Sequence, residues 1–302
     1  IKIIVIRNRV LRGHDFSLEE KNMFQYEVTQ DGLTVEDLLR TEWKLGKKLV
    51  HELRMAKAVK DVSGHVVRWN EELDKGTILQ FHFDFPPSNY LPTAKCEVEV
   101  RYEDEHCFIV SKPKGMATHP NDEKDTNTCM NHVMAYISER GGHYAEHVHR
   151  LDQGTKGLLL VAKHPIAKSI FDRMIEEKSI TRIYEAEVQG IVKDDRGTIN
   201  APIGKDRHHS NRRVVSKSGQ RAITHFKVKK RNKHTTIVQL MLETGRTHQI
   251  RVHMAYLGHP VVGDTLYNAQ KTASGDYFLH AIQLEFDHPF LNRRIVVRDE
   301  EV

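Results

Sequence analysis

Prolines 86, 87 and 92 fall within seven residues, in Phe85-Pro86-Pro87-Ser88-Asn89-Tyr90-Leu91-Pro92. Proline fixes φ and removes a backbone donor, so neither a helix nor an interior strand runs through such a stretch. The 302-residue chain therefore reads as a small unit over 1–92, with its linker at 85–92, and a larger unit over 93–302. Charge divides at the same place. Residues 1–92 carry 14 basic and 14 acidic residues, so the whole net charge of +5 lies behind the linker, with 32 against 27. That surplus permits an anionic partner without requiring one. No run of about 18 apolar residues exists, which excludes a membrane-spanning helix from the reading. The first ten residues lack a signal-peptide layout. Cys96, Cys107 and Cys129 leave one unpaired and show no C-x-x-C spacing. A disulfide framework and a zinc knuckle are disfavoured, and a reducing cytoplasm is the expected compartment.

In the front unit, Ile1–Val10 and Phe24–Thr29 read as strands. Thr34 is placed to cap a helix with Glu36 and Asp37 in its first turn and Leu38, Leu39 and Trp43 on its buried stripe. Gly46 ends it. A second helix over 47–58 buries Leu49, Val50 and Leu53 and exposes Lys47, Lys48, Arg54 and Lys57. A hairpin turning at Ser63-Gly64 follows, then Asp74-Lys75-Gly76 before the strand Thr77–Phe83.

Behind the linker, strands are expected at 98–102, 106–111, 157–163, 183–190, 226–230, 236–243 and 278–285. Helices are expected at 128–140, 165–177 and 247–257. Pro165 sits in a first turn, where proline is tolerated. Strand and helix do not alternate regularly, so a doubly wound parallel sheet is disfavoured. The expected class is α+β: a large mixed, mainly antiparallel sheet with flanking helices, preceded by a small α/β unit.

Three segments carry chemistry. Tyr102–Met116 is a buried strand running into Lys112-Pro113-Lys114-Gly115. His149–Lys163 sets Asp152 in a short polar loop before an almost wholly apolar strand. A carboxylate held against a buried sheet suits a nucleophile or base, and it suits a turn cap equally. Glu243–Asp264 places Arg246 at a helix entrance and Arg251 among Ile250, Val252 and Met254. A buried arginine needs a carboxylate or phosphate partner.

Together these segments resemble the RluA family of RNA pseudouridine synthases. His149–Lys163 follows the H-R-L-D-x-x-T-x-G-L-L-L-x-A-K stretch, with Lys156 where a small hydroxyl residue is usual. Gly245–Asp264 follows G-R-T-H-Q-I-R-V-H with G-H-P-x-x-G-D. Lys112–Gly115 matches K-P-x-G and is followed by His119-Pro120. Arg182, Tyr184, Ala186, Val188 and Gly190 match R-x-Y-x-A-x-V-x-G. The likeness spans roughly 96–290 and implies the pseudouridine synthase fold. It implies that the N-glycosidic bond of a uridine is broken, the uracil rotates, and C5 bonds to C1′, with no cofactor and no metal.

By that resemblance Asp152 is the catalytic aspartate, as nucleophile or as the base that starts glycal formation. Tyr184 stacks on the uracil and Arg251 pairs with Asp152, favouring its charged form. The target base has to leave its stack, and Arg150 is the candidate to fill the space. His149 is read as holding the loop. Arg246 and His248 touch substrate or brace the loop. Gly245, Gly258 and Gly263 read as backbone requirements.

The front unit resembles the RNA-binding fold of ribosomal protein S-four by its pattern of two short helices and a hairpin. Lys44-Leu45-Gly46-Lys47-Lys48 stands where an arginine-rich turn is usual. Lys47, Lys48 and Arg54 are its RNA-binding candidates, against a cap that binds no RNA. Lys205–Lys233 holds eleven basic residues and one acid, Asp206. It reads as a phosphate-contacting surface, with Arg212 and Arg213 as candidates, or as a solvated basic loop running into a strand. His143, His147 and His149 have a spacing that would suit a metal on a helix, but no carboxylate–histidine motif accompanies them. The expected partner is RNA, ribosomal rather than transfer RNA, and the expected state is a monomer. A catalytically silent RNA-binding homologue and a metal-dependent nuclease are the competing readings.

Overall fold

The computed structural model describes residues 2–7, 23–82, 84–94, 96–122, 125–273 and 275–299. Ile1, residues 8–10 and Phe83, which were expected in strands, lie outside them.

An 11-stranded sheet forms the frame. Its path runs Arg196–Asn200, Ile223–Arg231, Thr235–Leu242, Thr181–Gln189, Leu279–His288, Lys156–Ala162, Cys107–Lys112 and Glu99–Glu103. Most neighbours are antiparallel, as expected. Lys156–Ala162 meets Leu279–His288 in parallel over two residue pairs only. Its remaining length pairs antiparallel with Cys107–Lys112. Gly157–Ala162 is buried throughout, which is why this strand reads as a continuous apolar run rather than an alternating one. Thr181–Gln189 alternates strictly instead, so Arg182, Tyr184, Ala186 and Val188 share one buried face.

The three expected helices form as Cys129–Ser138, Pro165–Glu176 and Gln249–Tyr256. The strands Arg196–Asn200, Ile203–Lys205, Arg213–Val215 and Arg293–Arg298 were not expected. The first strand, Lys2–Arg7, pairs in parallel with Arg293–Arg298 and so belongs to the large sheet, not to the hairpin unit that follows it in sequence.

In residues 23–82, Met23–Glu27, Ile78–His82 and Val59–Lys60 make a three-stranded sheet. Thr34 caps a short turn, its side chain accepting from the Asp37 amide. The chain then widens into a π-helical turn at Leu38–Glu42 before the helix Lys47–Met55. Phe24, Trp43 and Phe81 cluster at the base of this unit. They continue into the large sheet's core through His164 and Phe290, whose rings lie 4.8 Å from Phe24 and 5.2 Å from Trp43.

The proline-rich stretch is extended and tied down. The Ser88 hydroxyl donates to the Ala145 carbonyl at 2.7 Å and the Tyr90 hydroxyl to Glu146 at 3.0 Å. It thus leans on the segment that leads to Asp152.

Candidate active site

The loop bearing Asp152 enters the sheet through a turn in which the Thr155 amide donates to the Asp152 carbonyl at 3.0 Å. A neighbouring segment clamps it from the side. The Lys112 ammonium is buried and donates to the carbonyls of Pro113, Met116 and Gln153 at 3.0, 2.7 and 3.2 Å. The Thr118 hydroxyl donates to the Leu151 carbonyl at 2.8 Å and accepts from the Leu151 amide at 3.0 Å. Gln153 and Gly115 exchange two hydrogen bonds. Burial pulls the Lys112 pKa down to about 8. The Lys-Pro-x-Gly turn therefore works as the brace of the Asp152 loop. Lys112 and Thr118 were missed as site-building residues, although K-P-x-G was itself visible.

Arg251 projects from the helix Gln249–Tyr256. Its Nη1 lies 3.3 Å from Asp152 Oδ2. Its stronger partner is Asp264: Nε and Nη2 reach the two carboxylate oxygens at 2.6 and 2.9 Å, a bidentate fork. Burial works to lower the Arg251 pKa, but the Asp264 hydrogen bonds and the nearby negative charges raise it well above the ordinary value. Asp264 is 1 % exposed and is delivered by the turn at Gly263. A Cβ at Gly263, where φ is +87°, would lie 1.9 Å from the Asp276 carbonyl oxygen, so only glycine fits. The guanidinium is sandwiched against Tyr277 at 4.5 Å and Tyr267 at 5.1 Å. Burial and the charge of Asp152 push the Tyr277 hydroxyl up to about 12.

His248 caps this helix in the left-handed region, φ +58°, a costly conformation for a residue with a side chain. The Tyr267 hydroxyl holds its Nδ1 at 2.9 Å and its Nε2 lies 3.9 Å from Asp152. The helix was expected to begin at Thr247. It begins two residues later, at Gln249, with His248 as its left-handed N-cap.

Asp152, Tyr184, Arg251 and His248 all line one cavity of about 370 Å³. Tyr184 is 5 % exposed, and its pKa is raised by burial. His149 lines it too, and its Nε2 accepts from the Leu160 amide at 3.2 Å. Burial, then the charge of Arg182, hold the His149 pKa down at about 3, so the ring is neutral and pins the loop to the strand.

The histidines whose spacing would suit a metal on a helix stand in no helix, and His143 and His147 have other partners. His143 Nε2 meets the Phe85 carbonyl at 3.2 Å, and His147 Nδ1 meets the Tyr90 hydroxyl at 3.0 Å.

The expected RNA-binding residues fall into three places. Arg150 and Arg246 are exposed at the cavity rim. Arg246 Nε donates to the Arg221 carbonyl at 3.1 Å. Arg212 and Arg213 lie on the hairpin of Ile203–Lys205 and Arg213–Val215. Arg212 pairs with Asp206 at 2.6 Å, and the Arg213 amide donates to the Tyr267 hydroxyl at 3.1 Å, next to His248. Further basic residues of the stretch lie on the strand Ile223–Arg231, with Lys227, Lys229 and Lys230 exposed. In the front helix, Lys47 and Lys48 are exposed, whereas Arg54 pairs with Glu36 and lies 4.6 Å over Trp69.

Gly245 departs from its expected role. Its φ is not positive; a Cβ there would meet the Arg182 guanidinium at 3.0 Å, so the glycine makes room for that side chain. Gly258 and Gly263 do have positive φ, as backbone requirements.

Comparison with known proteins shows the family. Residues 106–256 match the RNA pseudouridylate synthase family. Residues 23–79 match the N-terminal domain of RluD ribosomal pseudouridine synthase. The uncharacterized RNA pseudouridine synthase YhcT of Bacillus subtilis is 38 % identical over 293 residues, 96 % of this chain and 94 % of that one. Ribosomal large subunit pseudouridine synthase D of Pseudomonas aeruginosa is 34 % identical over 255 residues, covering 78 % and 79 %. The solved structure of human RNA pseudouridylate synthase domain containing 1 superposes with a TM-score of 0.55 at 26 % identity, covering 70 % of this chain and 86 % of that one. The chain thus belongs to the RNA pseudouridine synthases, in their RluA branch, and is an isomerase of uridine in RNA.

Proposed function

We propose that this enzyme isomerises specific uridines of ribosomal RNA, with Asp152 as its catalytic carboxylate. The observation that carries the reading is the cavity in which Asp152, Tyr184 and Arg251 meet. Asp152 has one oxygen 3.3 Å from Arg251 and faces open volume. A flipped uridine fills that volume with its C1′ toward the carboxylate and its base along Tyr184. Arg251, already forked onto Asp264, holds Asp152 in one orientation without consuming it as a partner. Isomerisation breaks C1′–N1 and forms C1′–C5, and the proton lost from C5 is balanced by one gained at N1.

Arg150, exposed at the rim and two residues before Asp152, is the residue that takes the place of the departed base. His248 and Arg246 border the same opening. Lys47 and Lys48 on the front helix, with Arg212, Arg213 and the exposed lysines of Ile223–Arg231, contact flanking phosphates. We take 1–92 as the RNA-positioning unit and 93–302 as the catalytic one, with Lys2–Arg7 joining the catalytic sheet. The enzyme acts as a monomer in the cytoplasm, without cofactor or metal. Three free cysteines support a reducing compartment. Among the described residues no helix is long and apolar enough to cross a membrane. The relatives named for the large ribosomal subunit support ribosomal RNA as substrate.

The test is to incubate the protein with unmodified ribosomal and transfer RNA and map pseudouridine at nucleotide resolution. Product at defined uridines of large-subunit ribosomal RNA is expected. Product in transfer RNA alone would replace the ribosomal assignment with a transfer-RNA one.

A further inference from the structure

Among the described residues, Arg182 is the one buried charge lining the cavity that has no partner. It lies on Thr181–Gln189, two residues before Tyr184 and on the same buried face. It is 6 % exposed, lines the cavity, and has no hydrogen bond or ion pair among the described residues. Arg150 and Glu176, which also line the cavity, are exposed to solvent, and the remaining charges are accounted for. Arg251 has Asp264 and Asp152. Lys178 has Glu243 at 2.6 Å, and Glu243 also meets His225 at 2.8 Å. Arg246 holds a backbone carbonyl. The side chain next to Arg182 is a neutral imidazole, His149, and the surface behind it is the bare Cα of Gly245. A buried guanidinium without an acceptor is costly, and a protein keeps one where a ligand supplies the anion.

We infer that Arg182 binds a phosphodiester of the RNA chain next to the flipped uridine. The spacing fits. Two residues along a strand separate Arg182 from Tyr184 by about 7 Å, the scale of the separation between a nucleobase and its own phosphates. A base laid along Tyr184 therefore brings one of its two flanking phosphates to the guanidinium. Arginine's planar fork matches two phosphate oxygens, and Gly245 leaves the face of that fork free to align. The cavity then has two differently equipped ends. At one, Arg251 is saturated by carboxylates and orients Asp152; at the other, Arg182 is left open for substrate. This inference rests on the reading that the uridine sits in the Asp152 cavity. It does not depend on which class of RNA supplies that uridine.

The experiment is a substitution cycle. A short synthetic RNA carries the mapped target uridine with a neutral methylphosphonate on its 5′ side or on its 3′ side. Each RNA is given to the wild type, Arg182→Met and Arg182→Lys, and kcat/KM is compared with that for the all-phosphate RNA. Wild type is expected to lose roughly 10- to 100-fold at one of the two linkages. Arg182→Met is expected to start lower by a similar factor and to lose less than about twofold further at that linkage, because the interaction is already gone. Arg182→Lys keeps a charge and falls between. Folded stability provides the second readout: removing an unpaired buried charge leaves the melting temperature of Arg182→Met unchanged or raised. The inference is overturned if Arg182→Met remains as sensitive to the methylphosphonate as wild type, if neither linkage matters to wild type, or if Arg182→Met loses stability. Loss of the Asp152 assignment would look different: product formed by Asp152→Asn.

Discussion

Two clusters of titratable side chains flank the strand Cys107–Lys112, and we assign catalysis to only one of them. At its far end, around Asp152, the carboxylate has one contact at 3.3 Å and one at 3.9 Å and borders open volume. At its near end, around Asp104, the carboxylate is used up. Asp104 accepts from the amides of His106 and Cys107 at 2.7 and 2.8 Å and from the Tyr102 hydroxyl, and His288 Nε2 lies 3.0 Å away. Phe290 stacks on His106 at 4.0 Å and closes the cluster.

Asp104, Cys107 and His288 bring three potential metal-ligating atoms within 4.8 Å of one another. Yet burial pushes the Cys107 thiol up, keeping it protonated, and the Asp104 oxygens already serve the backbone. Density of acids and histidines therefore does not identify a site. An incompletely satisfied group facing open space does.

Substitutions at the two ends should separate sharply. Arg251→Met is expected to give the largest combined loss. It strips Asp152 of its orienting cation and strands Asp264, a cost of about 3–5 kcal/mol in stability besides the activity. Denaturant titration together with a turnover assay checks both; a variant as stable as wild type would contradict the assigned pairing with Asp264.

Asp104→Ala should cost a similar amount of stability, about 3–5 kcal/mol, while the folded fraction keeps its turnover. Loss of turnover per folded molecule would erase the contrast between the clusters.

The pH dependence of stability is the next largest effect. Burial holds His106 and His149 at about 3 and His147 at about 4, against an ordinary 6.5. His164 is lowered too, again by burial. Between the folded and unfolded values the unfolded chain binds more protons, so stability rises with pH across that window. It is complete above pH 6.5 and is lost progressively as pH falls toward 3. Burial works against ionising Asp104, but the nearby His288 and the hydrogen bonds it accepts hold its pKa below the usual carboxylate range. That extends the loss to lower pH. Thermal melts from pH 3 to 8 test this, and a flat profile between 6.5 and 4 would rule out neutral buried histidines.

The smallest expected effect lies on the front helix. Lys47→Ala should reduce the slope of log affinity against log salt by about 0.7–0.9, the signature of one lost phosphate contact. Arg54→Ala should leave the slope unchanged, because that guanidinium is held by Glu36 and Trp69. Equal slopes for wild type and Lys47→Ala would remove that lysine from the RNA surface.

The contrast also explains what could be read in advance. Asp152, Tyr184 and Arg251 were legible because each sits in a short stretch whose residue order is distinctive. The central strands were legible because burial writes itself as an apolar run or as strict alternation. Arg196–Asn200 is a polar edge strand with one buried residue, so it carries no such pattern. The pairing of Lys2–Arg7 with Arg293–Arg298 links opposite ends of the chain, and no local signal encodes it. Asp264 was in view within the closing motif, but its role as the fork partner of Arg251 depends on the Gly263 turn. Arg182 and Lys112 were in view as well. What distinguishes them is an absent partner in one case and three backbone acceptors in the other, both properties of the assembled structure.

The most direct measurement compares wild type with Asp152→Asn on unmodified ribosomal RNA, in a chelator of divalent metal, with pseudouridine mapped at each uridine. Folding of the variant is confirmed by its melt. Wild type is expected to convert defined uridines. The variant is expected to be slower by on the order of a thousandfold or more, with stability within about 1 kcal/mol of wild type. Conversion by Asp152→Asn at the wild-type rate would contradict the account.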